Sequence, residues 1–194
     1  MTVDLSELAL QARSGFPAEI AYLRAAHPRP AWRQHGNFGA LAEFWLQVHD
    51  RLRSQAADLE RATNAFREAN LSGADFCRVF VQRFNHFLQH LQGHDQIEDR
   101  AYYPRFRCPD TRMLAGFDLL AKDHGAIDNA MVAAVEGANA MLAAVLDGAA
   151  ANGHAIDAYG VVFERLFTLL IRHLADEEDL LIPALFEYGE HRVG

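Results

Sequence analysis

From residue 38 onward, apolar positions recur at spacings of three, four and seven. No stretch alternates apolar and polar positions between turn signals, so the pattern predicts an all-α chain. Four long helices are expected. The first spans Phe38 to Ala69 with Asn37 as N-cap, and the second spans Ala74 to Tyr103, opened by the capping-box spelling Ser72-Gly-Ala-Asp75 and closed by Pro104. The third spans Thr111 to Ala149, after a turn at Pro109 and Asp110, and the fourth spans Ala155 to Glu187. Helices of about 30 residues are about 45 Å long, and short connections make neighbours antiparallel, which predicts an up-down-up-down four-helix bundle over residues 36–194. Residues 1–35 stand apart as an N-terminal helical extension, with short helical stretches SELALQA and PAEIAYLRAA.

Each apolar stripe is interrupted by a histidine. In the third helix the stripe Met113, Phe117, Leu120, Ile127, Met131 takes in His124, and Asp128 lies about 40° round from it. In the fourth, Leu166, Leu169, Leu170 and Leu180 share a face with His173 and Glu177. The second aligns Phe80, Phe87 and Leu91 with His94 and Glu98, and the first aligns Leu41, Trp45 and Leu52 with His49. One histidine on an apolar face is usually a hydrogen-bonded core residue. Four of them, with two glutamates, pose a different problem, because burying an unpaired carboxylate costs several kcal/mol. A pair of metal ions would supply the missing positive charge and use the imidazole lone pairs.

The spelling is written twice. Residues 94–104 read HDQIEDRAYYP and residues 173–183 read HLADEEDLLIP, sharing His, Glu four positions later, and Pro. Residues four apart on a helix lie one above the other and converge on one site, so two such pairs on antiparallel helices supply two carboxylates that reach between two metals. His49 and His124 precede the two pairs by 45 and 49 residues, as if the chain were two tandem hairpins.

Other groups hold weaker claims. Asp95 is either an auxiliary ligand or a solvated acid, and Tyr102 and Tyr103 either hydrogen-bond a bridging carboxylate or carry an oxidising equivalent, or else pack at a helix end, the commoner role. Glu178 and Asp99 turn about 100° away from their neighbouring glutamates and are expected to face solvent. His90 is a candidate to support the ligands, while His86, His27, His35, His154 and His191 are expected to have no metal role.

In this arrangement the residues resemble the hemerythrin-like, or HHE cation-binding, family: His49, His94-xxx-Glu98 with Pro104, His124, and His173-xxx-Glu177 with Pro183. The resemblance covers residues 36–188. It implies a non-haem di-iron site with His49 and His94 on one iron, His124 and His173 on the other, and Glu98 and Glu177 bridging. Zinc or manganese would accept the same donors. It departs at Asp128, where oxygen carriers of the family usually have a histidine. Asp128 is a ligand, a hydrogen-bond partner of one, or the mark of an open coordination place.

The implied role is to bind or react with O2, peroxide or nitric oxide in sensing, scavenging or iron handling. A zinc-holding or metal-free regulatory module and a di-iron oxidase or peroxidase are the alternatives. Ferritin-like Glu-xx-His spacing is absent.

Composition narrows the partners. A net charge of −8 without a Lys/Arg cluster argues against nucleic acid. Glu136, Asp147, Glu164 and Arg172 interrupt the richest apolar stretches, and the opening MTVDLSELALQ lacks the basic start and apolar run of a secretory signal, so a cytoplasmic protein with no membrane partner is expected. A small diatomic or peroxide ligand is the expected partner, and a protein partner or homodimer stays open. Cys77 and Cys108 lack CxxC spacing and read as ordinary thiols.

Overall fold

The computed structural model describes residues 8–68, 72–106, 110–148 and 152–192. Among them every regular element is helical. The long helices are α1 (Ala40–Arg67), α2 (Gly73–Ile97), α4 (Leu114–Leu146) and α5 (Asn152–Tyr188). Between α2 and α4 come a π-helical turn at Glu98–Tyr102 and a short helix, α3 (Tyr103–Phe106). Expected boundaries at Ala69, Pro109 and Ala149, Cys108, and the start of SELALQA lie outside the described residues.

Local chemistry sets the ends of these helices. The Ser72 hydroxyl accepts from the Asp75 amide at 3.2 Å, the capping expected there. Before α4, the Asp110 carboxylate accepts from the Arg112 amide at 2.9 Å. α1 departs from expectation, because Asn37 does not cap it. Asn37 Nδ2 donates instead to the Phe186 carbonyl, and Glu190 Oε1 accepts from the Leu41 and Ala42 amides, each at 3.0 Å. A carboxylate 149 residues from Leu41 thus does the work of a local cap, which no local spelling could announce. Gly39 makes room for it, since a Cβ there would come within 2.5 Å of the Glu190 carboxyl group. Gly39→Ala is therefore expected to push Glu190 off the amides and cost about 1 kcal/mol, read from urea unfolding. An unchanged midpoint would mean the cap re-forms around the methyl group.

The second helix also continues past its expected stop. Pro104 cannot donate to the helical ladder. The chain widens into the π-turn just before it, with the Tyr103 amide donating to the Glu98 carbonyl, and stays helical to Phe106.

The chain divides into two compact units. The first comprises residues 1–49, 94–126 and 169–194. Its core holds Phe16, Ile20 and Trp32 from the N-terminal segment together with Trp45, Phe106, Phe117, Leu181 and Phe186. Residues 8–35 therefore share this core, in a chain of turns with one 3₁₀ helix at Arg29–Gln34. Each fully buried side chain of this size contributes roughly 1.5–3 kcal/mol, which holds the segment down without a long helix.

The second unit comprises residues 50–93 and 127–168. It is packed by aromatic rings, with Phe66 stacked on Phe76 at 4.5 Å and Phe80 edge-on to Tyr159 at 5.2 Å. Cys77 is buried there, and burial raises its thiol pKa.

One helix, over Thr111–Leu146, is long and apolar enough to cross a membrane by length and composition alone, despite Glu136. The same helix carries Asp123 and His124, both buried and both engaged with polar partners.

Candidate metal centre

All four stripe histidines, both glutamates and their neighbours fall in the first unit. α1 supplies His49, the end of α2 supplies His94, the π-turn supplies Glu98, α4 supplies His124, and α5 supplies His173 and Glu177. All but His94 are buried below a twentieth of their surface, and the His94 side chain is only 7% exposed.

These side chains form two groups that share Glu98. His49, His94, Glu98 and Glu177 offer ligand atoms lying within 4.8 Å of one another, and so do Glu98, His124 and His173. In the first group, His49 Nε2 is 3.3 Å from Glu177 Oε2, and His94 Nε2 is 2.8 Å from Glu98 Oε1. The four atoms face one another in ion-pair range without forming a well-aligned hydrogen bond. In the second, the Nε2 atoms of His124 and His173 face each other at 3.2 Å, with Glu98 Oε2 3.4 Å from that of His124. Glu98 presents one oxygen to each group.

Behind the imidazoles stand carboxylates. His49 Nδ1 is 2.9 Å from Glu178, His173 Nδ1 is 3.3 Å from Asp123, and His124 Nδ1 is 3.1 Å from Asp99. A proton held on Nδ1 toward a carboxylate leaves the Nε2 lone pair for a ligand. Glu178 is 2% exposed, against the expectation that it faces solvent, because a residue adjacent to Glu177 on α5 still faces α1 and the N-terminal segment. Asp99 is 43% exposed yet pairs with His124, so the solvent reading holds for it only in part. Asp123 was not singled out in the sequence.

Electrostatics follow from this crowding. Burial pushes the His49 imidazole down, but Glu177 and Glu178 outweigh it and its pKa rises to about 9. His124 likewise overcomes burial through Glu98, Asp95 and Asp99 and rises to about 10. His94 is raised too, against burial, chiefly by the charge of Glu98. Glu98 itself falls well below the usual carboxylate range, since His94 and His124 outweigh its burial. Without a cation the centre is held together by imidazolium–carboxylate pairs.

Two residues whose readings were open take different places. Asp128 is exposed and lines a surface groove with Gln89, Gln92 and Met131, and it belongs to neither group. Its 40° offset from His124 carries it off the buried stripe. Asp95 is 5% exposed, with both carboxylate oxygens lacking a hydrogen-bond partner and Oδ1 3.9 Å from His124 Nε2. Burial raises its pKa to about 6 against the pull of His124, His173 and His94.

Tyr103 also does more than pack. Its hydroxyl is 3.1 Å from Glu98 Oε2 and 3.2 Å from Glu177 Oε1, a donor placed between both glutamates. In a regular α-helix a residue five positions on would point about 140° away from Glu98. The π-turn brings it back to the same side. Tyr102 packs edge-on against Trp45 at 4.5 Å. His90, in the second unit, bonds Gln55 at 2.8 Å, and His86 is exposed.

Nε2 and carboxylate atoms that are buried, converge within 4.8 Å and form no well-aligned hydrogen bond fit a cation: imidazole nitrogens and carboxylate oxygens are the donors that first-row divalent metals accept. A helical chain with a buried His/Glu centre of this kind is a metal-binding protein by class. The family profile described as Hemerythrin HHE cation binding domain matches residues 40–185, and the chain belongs to that family. No curated protein and no solved structure matches it.

Proposed function

We propose that the protein holds a non-haem di-iron centre and uses it to bind or react with a small oxidant, O2, peroxide or nitric oxide, in sensing, scavenging or iron handling. The observation that carries this reading is the convergence of four buried ligand atoms on His49, His94, Glu98 and Glu177, which face one another without a well-aligned hydrogen bond, beside a second group that shares Glu98. His49 and His94 would hold one iron and His124 and His173 the other, with Glu98 and Glu177 reaching between them. The four long helices would then alternate up and down around the centre, as in an antiparallel four-helix bundle.

When bound, iron supplies electrons to, or takes them from, the small molecule. The protein residues do the rest. Glu178 and Asp123 hold Nδ1 protons so that Nε2 stays aimed inward, and Asp99 sets a negative charge 3.1 Å from His124 Nδ1. Tyr103 donates toward both glutamates and fixes their rotamers. Asp95, rather than Asp128, is the extra carboxylate beside His124, and it stands ready to ligate or to hold a proton there.

Iron-loaded protein is expected to contain two irons per chain and to change its absorption spectrum with azide, peroxide or nitric oxide. Asp95→Ala is expected to alter that spectrum, and Asp128→Ala to leave it unchanged. Stoichiometric zinc in protein that is inert to all three molecules would replace this reading with a zinc-holding module acting through a partner. Turnover of peroxide or of an organic substrate would place the protein among di-iron enzymes.

A further inference from the structure

The N-terminal segment places an arginine behind a histidine of each ligand group. Arg13 is 4% exposed although it belongs to a stretch of turns. Its guanidinium donates to both oxygens of Asp123, with NH1 2.9 Å from Oδ1, and its Nε is 2.6 Å from Asp176 Oδ2. Asp123 in turn faces His173 Nδ1. The segment is sewn down further, as the Phe16 amide donates to Asp176 Oδ1 at 2.9 Å and Arg13 NH1 donates to the Leu8 carbonyl.

Arg29 stands behind the other ligand group, with one hydrogen bond to its carboxylate. Its NH1 is 2.6 Å from Glu178 Oε2, while the other Glu178 oxygen faces His49 Nδ1 at 2.9 Å. Arg29 is anchored by Asp179 and the Ala175 carbonyl. The chains Arg13–Asp123–His173 and Arg29–Glu178–His49 therefore end on different groups, since His173 belongs to the second and His49 to the first.

We infer that Arg13 and Arg29 are positioning residues, one for each metal position, and that the N-terminal segment acts as a strap whose docking and metal occupancy support each other. This rests on the two-metal reading above. The bidentate guanidinium of Arg13 fixes the plane of Asp123, while Arg29 pins Glu178 through one oxygen, and each carboxylate fixes the plane and tautomer of the imidazole beyond it. Removing such a support commonly weakens metal binding by about 10- to 100-fold. Arg13 is fully enclosed and should lie toward the upper end, whereas Arg29, with its side chain 42% exposed, should lie toward the lower. Coupling is reciprocal, so metal should hold the strap closed by the same factor by which the strap tightens metal.

The test is a Co²⁺ titration of metal-free full-length protein, with His49→Ala and His173→Ala assigning the two binding steps. Arg13→Met is expected to weaken the His173-dependent step and spare the other, and Arg29→Met the reverse. Arg13→Lys, which keeps a cation against Asp123 and Asp176, is expected to recover part of the loss, and it decides the matter if Arg13→Met does not fold by circular dichroism. Hydrogen exchange at the Phe16 amide should slow on metal loading in the wild type and not in Arg13→Lys to the same degree. Equal effects of both arginine variants on both steps, or none on either, would overturn the strap while leaving the two-metal reading intact. Wild-type protein that takes up fewer than two Co²⁺ would overturn both, and that failure shows before any arginine is changed.

Discussion

In the proposed two-metal centre, Glu98→Ala is expected to abolish tight binding of both metals, with apparent affinities falling by ~100-fold or more, because a lost ligand costs at least what a lost supporting residue does. Glu98 is the residue common to the two ligand groups, with Oε1 against His94 and Oε2 against His124. The single-histidine variants should behave otherwise. His49→Ala removes a donor from the first group alone and His173→Ala from the second alone, so each should lose one equivalent of metal and keep the other. Glu98→Gln preserves shape and one acceptor but removes the charge that faces three imidazoles, and should fall between the two. Metal stoichiometry by elemental analysis, with helical content from circular dichroism as a check on folding, reads all four variants. A Glu98→Ala protein that keeps one tight equivalent would mean that Glu98 serves only one metal and that the two groups are independent sites.

Much of this centre was legible in the sequence because helical periodicity is arithmetic. His49, His94, His124 and His173 each sit on an apolar stripe, and a 3.6-residue repeat suffices to aim them at a common interior. What the arithmetic could not supply was the neighbour. Glu178 was assigned to solvent from its angle to Glu177, yet that direction is occupied by His49 and by Arg29 of the N-terminal segment. Arg13 carries no pattern at all, and its contact with Asp123 spans 110 residues of sequence. Tyr103 takes the rarer of its two readings for a local reason, since one π-turn changes the register between Glu98 and everything after it. Asp95 is buried and Asp128 exposed, a choice the sequence left open for both because angles on one helix do not say which flank another helix covers. Non-local burial, and a single irregular turn, account for each of these differences.

Metal-free and metal-loaded protein are expected to respond to alkali in opposite directions. In the metal-free chain His49 titrates at about 9 and His124 at about 10, both above the value of about 6.5 for an unfolded histidine. The folded state therefore holds more protons than the unfolded state across that interval, and stability must fall as pH rises through it. The contribution is complete below about 6.5 and gone above about 10, and is on the order of several kcal/mol for the two groups together. Glu98, depressed in the folded state, acts in the opposite sense at the acid end, losing its contribution as pH falls below the ordinary carboxylate range. Asp95, raised to about 6, costs stability as it is forced to ionise, which draws the optimum of the metal-free protein toward mildly acid pH. Metal reverses the alkaline limb. A cation can use His49 and His124 only after displacing their Nε2 protons, so each imidazole so freed raises apparent affinity up to ~10-fold per pH unit until its own pKa is passed. Melting temperatures taken from pH 6 to pH 10 should thus fall for metal-free protein and hold or rise when Co²⁺ or Zn²⁺ is present, and the gap should widen with pH. Parallel curves would mean that the metal does not compete with protons for these histidines, and would move it off His49 and His124. Asp128→Ala should leave both curves where they are, because that side chain is exposed and belongs to neither ligand group.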